Sequence, residues 1–453
     1  MKDLRGLPTS SESAAALEHA ERALWRMMSF YDAPLADLEA ASAADPAWAL
    51  PGLMRAGFLL SLAEPGHVDE ARQALEAVDL GLAGPNPGLR PLTPREAAHR
   101  QALGAVAEGR WGAACQVWDA LLLEHPLDAL ALQWAHLWDF YRGDLAGLKG
   151  RPARCLTAWD EADPLQPFVA ALLAFGLEEN REYAAAEDLG RRALARDPRV
   201  PWAVHAVAHT MEMQGRFEDG AAWLRHHQPA WGEGNGFAVH LWWHGALFRL
   251  EGLDCGGAMR LADSHLSGEA LQITLQRLDA AALLWRLHLL EQDVGERCAA
   301  LLRGWPLDDD TAGYYAFNDV HALLPMLAAG EIARAESWIA RCAQRALDAQ
   351  DARRSNHRMA RDVGLPLMRG LLAWARGDGD TAASLLYPAR SAAQVFGGSH
   401  AQRDLIDQSL LAACALAGGA SARGLGQALL RERQWSKPAT PLTRHWLARM
   451  GSS

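Results

Sequence analysis

Apolar positions recur along this chain with the period of an α-helix, and short polar turns interrupt them at regular intervals. The segment 16–31, ALEHAERALWRMMSFY, reads as a first helix, with cap candidates at Ser10, Ser11 and Ser13. The turns share a form: a glycine or its stand-in, a polar residue, then usually a bulky one. Gly66-His67-Val68, Gly109-Arg110-Trp111, Arg181-Glu182-Tyr183 and Gly215-Arg216-Phe217 are the clearest instances; Gly330-Glu331-Ile332 and Gly379-Asp380-Thr381 are weaker. A small residue follows three positions on at Ala71, Ala114, Ala186 and Ala335, and Pro126 and Pro198 close two of the units. Each unit is a helix, a tight turn and a second helix. Such a unit cannot bury its apolar face alone, so neighbours must stack. The pattern predicts an all-α, tetratricopeptide-type α-solenoid, a right-handed superhelix of helix-turn-helix repeats. No segment carries the alternation of a strand.

The breaks predict the organisation of a single solenoid. Residues 1–83 read as N-terminal helical repeats, 84–95 as a linker loop, 96–390 as central repeats forming a concave pocket, and 391–453 as C-terminal capping helices. Thr93, Pro94 and Glu96 have the spacing of an N-cap, a first helical position and a capping box. Further loops are expected at Gly147 to Pro152 and at Pro229 to Gly236, and Asp308-Asp309-Asp310 is read as preceding a helix start.

Composition narrows the function. The chain has 453 residues, 50% hydrophobic and 22% charged, enough for a large core and far from a disordered profile. Its net charge of -11 gives no electrostatic footprint for duplex nucleic acid or an anionic membrane, so neither is expected as a partner. Six scattered cysteines form no C-x-x-C pair, which argues against a disulfide framework and a cysteine-type zinc site. With no signal-peptide core and no uncharged run of membrane length, the expected location is the cytoplasm.

Candidate chemistry gathers on the first helices of successive repeats. In PWAVHAVAHTMEMQGR (201–216), His205, His209 and Glu212 fall within an arc of roughly 60° on one helix face. Counted from Gly215 as the fifteenth position, they occupy positions five, nine and twelve, which line the groove in tetratricopeptide arrays. One repeat on, His240 and His244 again share a face. Four imidazoles and a carboxylate suit a divalent transition metal, and neutral histidine is also the usual general base near pH 7. These five residues are therefore the candidate catalytic and metal-binding set.

Asp319, Arg403, Asp404, Trp243 and His99 are the candidate ligand contacts. Asp319 and His321 stand about 200° apart on one helix, so only one of them can face a given spot. In FGGSHAQRD (396–404), Ser399 and Gln402 have capping-box spacing, while Arg403 can hold a carboxylate or phosphate. Asp279 and Arg286 share a face of an apolar helix, where pairing across layers is the expectation.

Taken together, VHAVAHTMEMQGR (204–216), H-x-W-W-H-x-A-L-F (240–248), L-D-A-A-A-L-L-W-R-L (278–287), F-N-D-V-H (317–321) and G-G-S-H-A-Q-R-D (397–404) resemble the tetratricopeptide-repeat protein 38 family. The resemblance spans roughly residues 15–445 and implies an all-helical, soluble protein. The family commonly carries asparagine at the position of His400, and this chain has an extra residue around Leu253 to Gly257. Two functions are open to the pattern. In one, the groove is a His/Glu/Asp/Arg pocket binding a small polar or anionic ligand, with metal-assisted hydrolysis or oxidation as its chemistry. In the other, the array is a scaffold that binds a peptide or protein, with Trp202, Trp242 and Trp243 as anchors.

Overall fold

The computed structural model describes residues 1–83, 88–348 and 352–451. The predicted break at 84–95 lies partly outside them, at residues 84–87. Among the described residues the chain is helical; extended backbone pairs only as isolated bridges, Lys2 with Pro8 and Tyr31 with Asn235. The helix-turn-helix repeats are of tetratricopeptide type, as the periodicity predicts.

One backbone feature punctuates the repeats. A single residue in the left-handed region ends the first helix of a pair and redirects the chain into the second. It occurs at Ala63, Gly109, Gly143, Arg181, Gly215, Leu253, Glu291, Gly330 and Gly377. Four predicted turns, at Gly109, Arg181, Gly215 and Gly330, match it, and the residue two positions later is the first of the next helix: Trp111, Tyr183, Phe217 and Ile332. Two predicted turns are misplaced. Gly66 and Gly379 already lie inside the helices Pro65–Leu82 and Gly379–Ala392, and the left-handed residues are Ala63 and Gly377. The small residues read as packing positions, Ala71, Ala114, Ala186 and Ala335, are fully buried.

Other local expectations separate cleanly. Thr93 and Ser399 both form capping boxes, with Glu96 and Gln402. Helix 16–31 is observed as Ala14–Ser29, capped by Ser13. The loop expected at Gly147 to Pro152 is instead part of the helix Leu145–Leu156, started by the Asp144 cap. Asp308 caps only a turn through Thr311, and the next helix begins at Ala316. Pro229 likewise falls within the helix Phe217–Trp231.

The chain forms two compact units, Met1–Val207 with Pro229–Phe237, and Ala208–Gln228 with Ala238–Ser453. In the first, tryptophans fill the space between helices: Trp111 lies 4.8 Å from Trp138, and Trp118 lies 5.8 Å from Trp134. Gly176 lets two helices touch, because a Cβ there would stand 2.4 Å from the Leu148 carbonyl. In the second, Trp285 donates from its indole to Ser409 at 2.9 Å, tying the helix Thr274–Leu289 to His400–Leu416. All six cysteines are free of disulfides and all but Cys255 are buried. Among the described residues, no helix is long and apolar enough to cross a membrane.

Candidate functional site

The second unit brings polar side chains from three successive repeats into its interior. The helix Pro201–Met213 ends in this unit and carries His209 and Glu212; Ala238–Glu251 carries His240 and His244; Thr274–Leu289 carries Asp279 and Arg286. Most of their neighbours on these helices are buried apolar residues, among them Met211, Leu241, Leu247, Leu278 and Leu283, so these groups are carried inward with the core.

They form an unbroken chain. His244 Nδ1 lies 3.0 Å from Glu212 Oε2. The two Nε2 atoms of His244 and His240 are 3.3 Å apart. His240 Nδ1 donates to Asp279 Oδ2 at 2.9 Å. The His209 ring stands 4.5 Å from that of His244, nearly at right angles to it. Glu212, His209, His244 and Asp279 are buried, whereas the His240 side chain keeps 17% of its exposure. Trp243, fully buried, forms a wall: His240 stacks on it at 5.2 Å and the Arg286 guanidinium lies 5.6 Å from its centroid.

Burial sets the protonation of this interior. It pushes the Glu212 carboxyl up to about 7, against the nearby His209 and Lys437 charges. Burial, reinforced by the charges of His209, His240 and Arg286, holds His244 well below the usual imidazole range. Both shifts favour a pair with no net charge, a proton shared between carboxyl and imidazole. Arg286 is fixed by main-chain oxygens, donating to Ala282 at 3.1 Å and to Ala401 at 2.8 Å. Among the described residues it forms no ion pair. Burial lowers its affinity for its proton, while Asp404, Glu212 and Asp279 work in the other direction.

Beside Glu212 and Arg286 is a cavity of about 20 Å³, room for one water-sized body, also lined by Glu251, Asp404, Gln408 and Trp446. Asp404 accepts from Gln408 at 2.9 Å and from Arg433. Burial works against its carboxylate, yet the Arg433 and Lys437 charges hold it well below the usual range. Lys437 in turn pairs with Glu251 at 2.6 Å.

One ring nitrogen of His205 lies within 4.8 Å of ring nitrogens of His209, His240 and His244, while its ring packs within 5.2 Å of Phe175, 4.9 Å of Trp202 and 5.0 Å of Phe237. The remaining residues singled out from sequence have other surroundings. His99, in the first unit and fully buried, holds Asp128 at 3.1 Å and accepts from the Trp118 indole at 3.3 Å. Asp128 is shared with Arg95 at 2.7 Å, so His99 is one member of a buried ion network. Asp319 turns away from the histidines: it accepts from the Gly313 amide at 3.0 Å, and burial raises it to about 7. Its neighbour His321 points the other way, bonded to the Phe317 carbonyl at 2.8 Å and depressed to about 4 by burial, with Arg286 adding to the effect. Arg403 bonds to the Gly398 carbonyl and to His400 Nδ1, at 3.1 Å, within its own helix start. The tryptophans read as peptide anchors are engaged internally: Trp243 is buried, Trp242 stacks on His265 at 3.9 Å, and Trp202 lies within 5.9 Å of Phe30.

The sequence reading undervalued Asp279 and Arg286. Both do pair across layers, Asp279 with His240 and Arg286 with Ala401, and this is what draws them into the site. The available signal was two charges seven apart on an apolar helix.

No protein-family model matches the chain. Two solved structures are similar to it: the human IFIT1 dimer with m7Gppp-AAAA, at 12% identity over 97% of this chain and 90% of that one (TM-score 0.41), and the human IFIT1 dimer with PPP-AAAA, at 14% identity over 84% and 89% (TM-score 0.37). Both of those proteins were solved with RNA. The expectation that nucleic acid is no partner, drawn from net acidity, is corrected accordingly: acidity of the whole chain does not exclude it.

Proposed function

We propose that the second unit houses a hydrolytic site for a small polar or anionic compound, in a chain of the tetratricopeptide-repeat protein 38 family. The observation that carries this reading is the hydrogen-bonded series Glu212–His244–His240–Asp279, three members buried and one, His240, reaching solvent. Asp279 accepts a hydrogen bond from His240 Nδ1 and keeps the proton on that nitrogen, which leaves Nε2 as the basic atom. A proton accepted there passes to His244 and on to Glu212, whose affinity near neutrality suits a group that must both take and return it. Arg286 forms no direct ion pair among the described residues, although Asp404, Glu212 and Asp279 act on it from a distance, and a guanidinium so placed can accept an anionic group.

A panel of p-nitrophenyl acetate and p-nitrophenyl phosphate tests this. His240→Ala is expected to lower kcat/KM by about 10²- to 10⁴-fold, and Arg286→Met to raise KM for the anionic substrate alone. No turnover above buffer by the folded wild-type chain sinks the proposal.

A further inference from the structure

We infer that His209, His240 and His244 form a binding site for one divalent transition-metal ion of the zinc class, oriented by Glu212 and Asp279. The inference rests on the hydrolytic reading only for the use of the metal, not for its presence; with His240 Nε2 held as a ligand, a water activated by the metal would take the place of that nitrogen as the base.

Tautomer geometry is the first argument. Both His240 and His244 direct Nδ1 at a carboxylate, Asp279 and Glu212, and so turn Nε2 toward one another. A carboxylate behind each imidazole is the arrangement that fixes metal-binding histidines and strengthens them as donors. Spacing is the second. Two nitrogens each about 2.05 Å from a tetrahedral ion stand roughly 3.3 Å apart. The two Nε2 atoms are separated by 3.3 Å, and the ring planes cross at 88°. His209 supplies a third donor, since one ring nitrogen from each of the three histidines lies within 4.8 Å of the others.

Charge is the third argument. A dication beside the buried Arg286 would be unfavourable in an apolar interior, but Glu212 and Asp279 stand directly behind the ligands, and a bound dication would favour the ionised form of both carboxyls. The donor set, imidazole nitrogens with no thiolate, suits zinc, cobalt or nickel and disfavours calcium or magnesium. Three protein ligands leave one position for water or an anion, the pattern of a catalytic rather than a structural site.

Cobalt(II) reports coordination directly. The full chain, stripped with a chelator and titrated with Co²⁺, is expected to develop the intense visible bands of four-coordinate cobalt, saturating near one ion per chain, and Zn²⁺ is expected to bleach them. His244→Ala should abolish the bands. If that variant fails to fold by circular dichroism, Glu212→Gln and Asp279→Asn keep the hydrogen-bonding shape and should each weaken affinity by about 10- to 100-fold. Absent bands in the wild type, or affinity unchanged in both conservative variants, overturns the site. Cobalt binding without ester turnover would retain the metal and remove the hydrolytic reading. Turnover untouched by the chelator would retain the hydrolytic reading and remove the metal's part in it, leaving the cobalt bands to decide the site.

Discussion

Histidine plays three distinct parts in this molecule, and burial with partner chemistry decides among them. His99 and His321 are satisfied by a carboxylate and a carbonyl in their own layers. His240 is joined to buried Asp279 and His244 while still reaching solvent. Sequence spacing could place His209, Glu212, His240 and His244 on helix faces, and those four do converge. It could not say which way Asp319 points, because two residues about 200° apart leave both choices open. The structure turns Asp319 toward Gly313, where it keeps its proton up to about pH 7. An unfolded aspartate releases that proton near pH 4. The folded chain therefore holds the extra proton between these values, and stability falls as pH rises from about 4 to about 7, then levels. Asp319→Asn should flatten this slope in a series of melting temperatures across that window; a slope identical to wild type would show that Asp319 does not cause it.

At the scale of elements, the helices and their caps were readable because each rests on local chemistry: Thr93 and Ser399 cap as their neighbours demand. The turns were only partly readable. What repeats is a left-handed backbone residue, and Ala63, Leu253 and Glu291 adopt it without being glycine. Pro152 misled for a similar reason: the helix around it starts at the Asp144 cap and accommodates the proline inside. A non-glycine side chain in the left-handed region costs about 1 kcal/mol or more. Leu253 is partly exposed, so little packing is lost with its side chain. Leu253→Gly is accordingly expected to stabilise the chain by up to about 1 kcal/mol in urea unfolding. A clear loss of stability would mean that packing of Leu253 outweighs backbone strain.

At the scale of the molecule, no pattern in the sequence marks a division near Val207, because the helix Pro201–Met213 runs through it without a break. Each unit has its own interior, and each interior holds thiols: Cys115 and Cys155 in the first, Cys298, Cys342 and Cys414 in the second. Burial raises the pKa of all five, so they stay protonated and unreactive while covered. The chain thus carries its own stopwatch for breathing motions. Under pulsed alkylation read by peptide mass, Cys255 should be modified first, and the order in which the remaining five follow would show which interior opens sooner. Simultaneous modification of all six would mean that the fold opens as one piece.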